Sequence, residues 1–111
     1  MTPKQFKVFL ERDKACYHCG TTDTTLIPQH RKNRKMGGSR SLRDDPNNVI
    51  VFCSEANGRL ESESEFARLG VEMGWKLNSW DALSNPVYES HTGIWWQLNG
   101  FTRNALPPEP N

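Results

Sequence analysis

Long apolar runs are missing from this 111-residue chain, in which only 35% of the residues are hydrophobic. The longest unbroken apolar run extends from Val49 to Cys53, whereas a helix that spans a bilayer needs about 20 apolar residues. We therefore expect no contact with a membrane. The length is that of one domain with a modest core, and small domains of this kind are often stabilised by a metal or a partner.

Cysteine is also scarce, with three residues that cannot all pair within one chain. The N-terminal segment lacks the order of basic, long apolar and small residues that is typical of a signal peptide, so we expect a cytoplasmic protein. Thiols stay reduced in that compartment. A CxxC pair such as Cys16 and Cys19 is then more often metal-binding or redox-active than a structural disulfide.

The net charge is only +1, but it is unevenly distributed. Residues 1–46 hold ten basic and five acidic side chains, whereas residues 47–111 hold four and eight. Between His30 and Arg43 there are six basic side chains and no acidic one: Arg31, Lys32, Arg34, Lys35, Arg40 and Arg43. Such a run alone is often a solvated loop. Because this one begins at a candidate catalytic histidine, we expect it to contact the phosphates of a polyanion.

Apolar spacing and turn residues predict an α+β fold. The predicted elements are a helix from Pro3 to Asp13, strands from Leu26 to His30 and from Asn48 to Cys53, helices from Glu55 to Ser62 and onward to Met73, and short strands from Val87 to Ser90, Ile94 to Leu98 and Phe101 to Arg103. A capping box of Ser62 and Glu65 marks the start of the third helix. The Asn99-Gly100 pair predicts a tight hairpin. The four tryptophans are expected to pack in the core and hairpins rather than stack on bases.

Three polar residues fall at chemically useful points of these elements. His30 ends the first strand, Asn48 opens the second, and Asn57 lies in the first turns of the helix that follows. Hydrolysis of a phosphodiester needs a base that activates water, a cation near the leaving oxygen and positive groups that hold the strand. His30 can be the base, and Asn48 can fix the loop or orient the imidazole ring. Glu61 is four residues after Asn57 and so shares its helix face.

This order of residues resembles the HNH endonuclease family, whose fold is the ββα-metal motif. The resemblance covers about residues 12–62 and rests on the stretches CYHCG, QHRKNRKMGG, PNNVIVFC and SEANGRLES. The HR-x-x-R-x-MGGS and CSEANG segments are most similar to small HNH proteins encoded by bacteriophages. The resemblance implies a metal-dependent endonuclease that nicks or cleaves DNA. It assigns His30 as general base, Asn48 as central asparagine and Asn57 as a ligand of Mg²⁺ or Mn²⁺.

The catalytic metal site departs from the family pattern at one position. The residue before the catalytic histidine is commonly an acidic or histidine ligand in the family, but it is Gln29 here. An amide oxygen binds Mg²⁺ more weakly than a carboxylate does. Glu61 could supply the missing negative charge, so Gln29, Asn57 and Glu61 are the candidate ligands. A glutamate in this position is more often a surface carboxylate, or here a partner of Arg31, than a metal ligand.

The second departure concerns zinc, which many HNH proteins hold with two CxxC pairs. Cys16 and Cys19 form the first pair and Cys53 opens the second, but Ala56 takes the place of the fourth ligand. Either another group completes the site, with His18 as the nearest candidate, or the protein contains no structural Zn²⁺. By their positions in the sequence, we interpret His18 and His91 as knuckle and turn residues.

The predicted domain extends over residues 1–104, with the HNH core at 12–62, a C-terminal hairpin extension at 75–104 and a disordered tail at 105–111. The residues expected to bind DNA are Arg31, Lys32, Arg34, Lys35 and Arg40. Two alternatives stay open. The chain could be a DNA-binding module in which Gln29 and Ala56 have weakened metal binding. It could also be an accessory protein, for example in phage genome packaging, that binds a protein partner through its aromatic C-terminal hairpin.

Overall fold

The described part of the chain, residues 1–33, 42–43 and 45–108 of a computed structural model, forms three α-helices and two small antiparallel sheets. The elements are α1 (Pro3–Asp13), β1 (Leu26–His30), β2 (Val49–Cys53), α2 (Ser54–Ser62), α3 (Ser64–Glu72), β3 (Val87–Glu89), β4 (Ile94–Asn99) and β5 (Thr102–Ala105), with a 3₁₀ turn at Pro46–Asn48. The predicted α+β class is confirmed. No helix in the described ranges is long and apolar enough to cross a membrane.

The first sheet is the β1–β2 hairpin, in which Leu26 lies opposite Cys53 and His30 opposite Val49. All five residues of β2 are buried, as its continuous apolar sequence predicts. Helix α1 covers one face of the hairpin, where Phe9 packs with Val49 and Val51. Helix α2 follows β2 directly and packs on the other face, which carries the larger core cluster.

Helix α1 has the bounds that the sequence predicts, and its N-terminal end carries strong local signals. The Thr2 hydroxyl accepts a hydrogen bond from the Gln5 amide, and the Gln5 side chain accepts one from the Thr2 amide. This reciprocal capping box satisfies two otherwise unpaired donors. Pro3 occupies the first turn, where it needs no amide hydrogen.

The boundary between α2 and α3 differs from the prediction. Ser62 belongs to α2, and its hydroxyl donates to the Gly58 carbonyl at 2.9 Å instead of capping the next helix. The N-cap of α3 is Glu63, whose side chain makes no capping bond. It accepts instead from Arg59 Nε at 3.0 Å. The predicted capping box of Ser62 and Glu65 is therefore wrong, because a serine late in a helix can bond back to the preceding turn.

The second sheet has the strand order β3-β4-β5, and its last hairpin turns at the Asn99-Gly100 pair as predicted. Strand β5 includes Ala105, and the Leu106 amide donates to the Trp95 carbonyl, so the sheet reaches into the segment predicted to be disordered. Residues 109–111 lie outside the described ranges. Trp75 is buried as expected, whereas Trp80 is 80% exposed.

A buried ion pair joins α1 to both sheets. The Arg12 guanidinium donates to both carboxylate oxygens of Asp13, at 2.7 and 2.9 Å, and neither side chain is exposed. Arg12 also donates to the carbonyls of Pro46, Val49 and Gly100. These bonds fix the start of β2 and the tip of the β4–β5 hairpin relative to α1.

Candidate functional site

The side chains of Gln29 and Asn57 meet on the α2 side of the first hairpin. The Gln29 carbonyl oxygen accepts a hydrogen bond from the Asn57 amide nitrogen. The Gln29 amide nitrogen is held by the His30 carbonyl at 3.0 Å and lies 3.5 Å from the Trp75 carbonyl. Gln29 is 7% exposed and Asn57 is half-buried. Two of the three residues predicted to bind the catalytic ion are thus in contact.

Glu61, the third predicted ligand, lies one turn further along α2 and is exposed to solvent. One helical turn advances about 5.4 Å along the axis. Its carboxylate is therefore on the same side of α2 as Asn57, one turn further along the helix. Among the described residues, the only group of acidic, imidazole and thiol side chains close enough to share a metal is made of cysteines.

His30 lies on the opposite face of β1 from Gln29, because consecutive side chains of a strand alternate in direction. It pairs with Val49 and lines a groove of about 440 Å³ that is open to solvent on the α1 side. The other residues that line this groove are Met1, Gln5, Val8, Phe9, Arg43 and Phe101. Phe101 was not singled out from the sequence as a functional residue, although its position directly after an Asn-Gly turn indicates an exposed tip.

Asn48 fixes the backbone that follows His30. Its side chain is fully buried, its carbonyl oxygen accepts from the Lys32 amide at 2.7 Å, and its amide nitrogen donates to the Lys32 carbonyl at 3.1 Å. The Arg31 amide donates to the Asn48 carbonyl at 2.8 Å. These bonds join the start of the basic loop to the start of β2.

Arg31, predicted as a DNA contact, is 1% exposed and bonded within the fold. It donates to five backbone carbonyls, at distances of 2.7–3.4 Å: Gly74, Asn47, Leu83, Asn85 and Pro86. Burial lowers the pKa of Arg31 to about 10, which leaves the group charged at neutral pH. The guanidinium therefore joins the segments around residues 47, 74 and 85 and is not presented to a ligand in this conformation.

Only some of the remaining basic residues of the loop lie within the described ranges. Lys32 is half-buried, and its ammonium group donates to the Ser79 carbonyl at 3.2 Å. Arg43 lines the groove beside His30. Arg34, Lys35 and Arg40 lie outside the described residues. Lys32 and Arg43 are thus the described cations nearest in sequence to the two ends of the loop.

The three cysteines come together where the segment after α1 meets β2. The sulfur atoms of Cys16, Cys19 and Cys53 lie within 4.8 Å of one another, and those of Cys19 and Cys53 are 3.8 Å apart. A Zn–S bond of about 2.3 Å places the sulfurs of a tetrahedral site about 3.8 Å apart. Burial raises the pKa of the Cys16 thiol to about 12, against backbone hydrogen bonds that lower it. The three thiols can hold a metal ion such as Zn²⁺, which would deprotonate them.

His18, the nearest candidate for a fourth ligand, is not among the residues of this cluster. The imidazole of His18 packs edge-on against Phe66 and Trp75, with ring centroids 5.0 and 5.5 Å away. Within the described part of the chain, the cluster contains the three thiols alone. His91 instead lies over the knuckle, where its Cγ would be 2.8 Å from a side-chain carbon added to Gly20. Its Nε2 is 3.9 Å from the Glu89 carboxylate.

Comparisons of the chain with protein-family models, with curated proteins and with solved structures gave no match.

Proposed function

We propose that this protein is a metal-dependent endonuclease that hydrolyses DNA phosphodiester bonds, as its resemblance to HNH endonucleases implies. The observation that carries the proposal is the contact between Gln29 and Asn57, formed by a hairpin and the helix that follows it, directly beside His30 on the same strand. A strand, a second strand and a helix in this order are the three elements of a ββα unit.

The Gln29–Asn57 pair is the proposed site of the catalytic Mg²⁺ or Mn²⁺. The Gln29 carbonyl oxygen already faces Asn57, and a half-turn of the Asn57 amide brings its own oxygen to the same place. Oxygen ligands suit these hard cations, which usually keep several waters and bind substrate phosphates as well. When bound, the ion would stabilise the charge that develops on the departing 3′ oxygen. Both protein ligands are neutral, so the DNA phosphate and Glu61 would supply the negative charge.

His30 is the proposed general base. Displacement at phosphorus proceeds in line, so the attacking and departing oxygens lie on opposite sides of the phosphate. Gln29 and His30 are consecutive in β1 and project from opposite faces. A phosphodiester lying across the end of β1 would therefore have the ligand pair on one side and the imidazole on the other. Cleavage in this orientation leaves 5′-phosphate ends.

Two further groups support this arrangement. Asn48 holds the backbone on both sides of Lys32, and therefore fixes the chain directly after His30. Cys16, Cys19 and Cys53 would hold a structural Zn²⁺ that ties the knuckle to the end of β2. The chain has few apolar residues, so such a metal would replace part of the stabilisation that a larger core supplies.

The decisive experiment is cleavage of supercoiled plasmid in Mg²⁺, Mn²⁺ or chelator by the native protein and by His30→Ala. A general base commonly contributes about 10²–10⁴-fold to the rate, so the variant should lose most cleavage while keeping its DNA affinity. His91→Gln is the control, since it replaces an imidazole in the turn between β3 and β4. Equal cleavage by the native protein and His30→Ala would exclude His30 as the base.

A second candidate function is a DNA-binding module without catalysis. The observation that favours it is that Gln29 and Asn57 satisfy each other by a hydrogen bond between neutral amides. Tight DNA binding by the native protein, without cleavage in any divalent ion, would support this function over the endonuclease.

A further inference from the structure

The groove beside His30 is larger than a phosphate group requires and has an aromatic wall. It measures about 440 Å³ and is lined by Phe101, Phe9 and Val8 in addition to His30 and Arg43. Phe101 is 57% exposed and Val8 is 39% exposed. Phe101 and Val8 therefore present exposed apolar surface to this groove.

Phe101 is held in place although its ring is exposed. It follows Gly100 in the turn between β4 and β5. The Gly100 carbonyl accepts from Arg12 at 2.9 Å, and its amide donates to the Asn47 side chain at 2.8 Å. The Phe101 ring also leans on Phe9, with centroids 5.5 Å apart. A ring fixed in this way loses little conformational freedom when a planar ligand stacks on it.

We propose that this groove binds an unpaired nucleobase of the DNA strand that is cut, with the base stacked on Phe101. The inference rests on the proposed function and names its substrate class. A fixed aromatic face beside cationic groups is the combination that proteins use to bind single-stranded nucleic acid. Here the cationic group is Arg43, and His30 lies in the same lining. A base next to the reacting phosphate can enter the groove only if it has left the duplex stack.

The substrates are therefore DNA with unpaired bases at the cut, such as bubbles, flaps or single strands. A fully paired duplex can contact this groove only through its sugar-phosphate backbone, because its bases are stacked inside the double helix. Stacking of one base on an aromatic side chain changes affinity by about 5- to 150-fold. The ratio of the affinity for a bubble to the affinity for the matched duplex is expected to lie within that range.

The test is the affinity of the full chain for a fluorescent DNA bubble and for the matched duplex, measured in chelator so that cleavage does not interfere. Phe101→Ala should weaken bubble binding by about 5- to 150-fold and leave duplex binding unchanged, whereas Phe101→Trp should stay near the native value. Trp80→Ala is the control, since it removes another exposed ring, one at 80% exposure. A 2-aminopurine placed in the bubble should be quenched by the native protein and not by Phe101→Ala.

Each outcome separates this inference from the endonuclease proposal. Plasmid or duplex cleavage that depends on His30, with bubble affinity unaffected by Phe101→Ala, overturns the base site and leaves the endonuclease. Bubble binding that depends on Phe101 in a protein that never cleaves DNA supports the base site and overturns the endonuclease. Equal loss on bubble and duplex shows an apolar contact that is not a base, and equal loss in Trp80→Ala shows a general aromatic effect. Both results overturn the inference.

Discussion

Arg31→Lys should destabilise the fold although it keeps the positive charge. The five N–H groups of Arg31 reach five backbone carbonyls, and the side chain is 1% exposed. Lysine keeps the charge but offers three donors from one point, so it cannot reach carbonyls that surround a planar guanidinium. Hydrogen bonds to charged groups contribute about 1.5–3 kcal/mol each and do not add fully. Loss of two or more of these bonds would therefore cost about 3 kcal/mol or more, which is a large part of the 5–15 kcal/mol typical of a domain.

The assay for Arg31→Lys is urea and thermal unfolding followed by tryptophan fluorescence, to which the buried Trp75 contributes. A loss of about 3 kcal/mol should lower the melting temperature of a chain this size by at least about 10 °C. Lys32→Ala is the matched control: it removes the next basic residue, which is only half-buried, and should change stability by less than about 1 kcal/mol. An Arg31→Lys protein as stable as the native one would refute the structural role of the guanidinium.

Three further predictions concern the metal, the pH dependence and the basic loop. Purified protein should contain about one zinc per chain, and Cys16→Ser should lower both zinc content and melting temperature; zinc-free protein that melts unchanged in strong chelator would count against the site. Burial raises the pKa of Glu89, but hydrogen bonds from Thr92 and Arg103 outweigh burial and hold the pKa below its ordinary value of 4.5. The stabilisation by ionised Glu89 is therefore full above about pH 4.5 and is lost as the pH falls through the lower pKa of the folded state. Glu89→Gln should make the free energy of unfolding depend less on pH in the acid range. An unchanged acid pH dependence would exclude Glu89 as its source. Replacement of both Arg34 and Lys35 by alanine should flatten the slope of log affinity against log salt by up to about 2, and an unchanged slope would mean that the loop does not touch DNA.

The elements of the first half of the chain could be predicted because their signals are local. Thr2, Pro3 and Gln5 form the cap of α1 by contacts within one helical turn. The five apolar residues of β2 leave no polar face, so the pattern predicts a buried strand, and all five residues are buried. The contact between Gln29 and Asn57 also follows from pattern, since a helix that leaves β2 directly must pack back on the hairpin.

The features that sequence did not reveal depend on distant partners. Arg31 belongs to a basic run, yet it is buried because the carbonyls around residues 74 and 83–86 converge on it. His18 lies between the two cysteines of the CxxC pair, yet its ring packs on Phe66 and Trp75 and is not part of the cysteine cluster. Trp80 is a large aromatic residue of the kind usually found in a core, but it lies in an exposed turn. Local pattern carries no information about such long-range contacts.

The central claim, that Gln29 and Asn57 hold the catalytic ion, is tested most directly by the Mg²⁺ concentration that gives half-maximal DNA cleavage. Asn57→Asp adds a negative charge to the pair, and carboxylates bind Mg²⁺ more strongly than amides. The half-saturating Mg²⁺ concentration should therefore fall several-fold in Asn57→Asp and rise in Asn57→Ala, with His91→Gln matching the native protein. Identical Mg²⁺ dependence in all four proteins, or no metal-dependent cleavage by the native chain, would contradict the account.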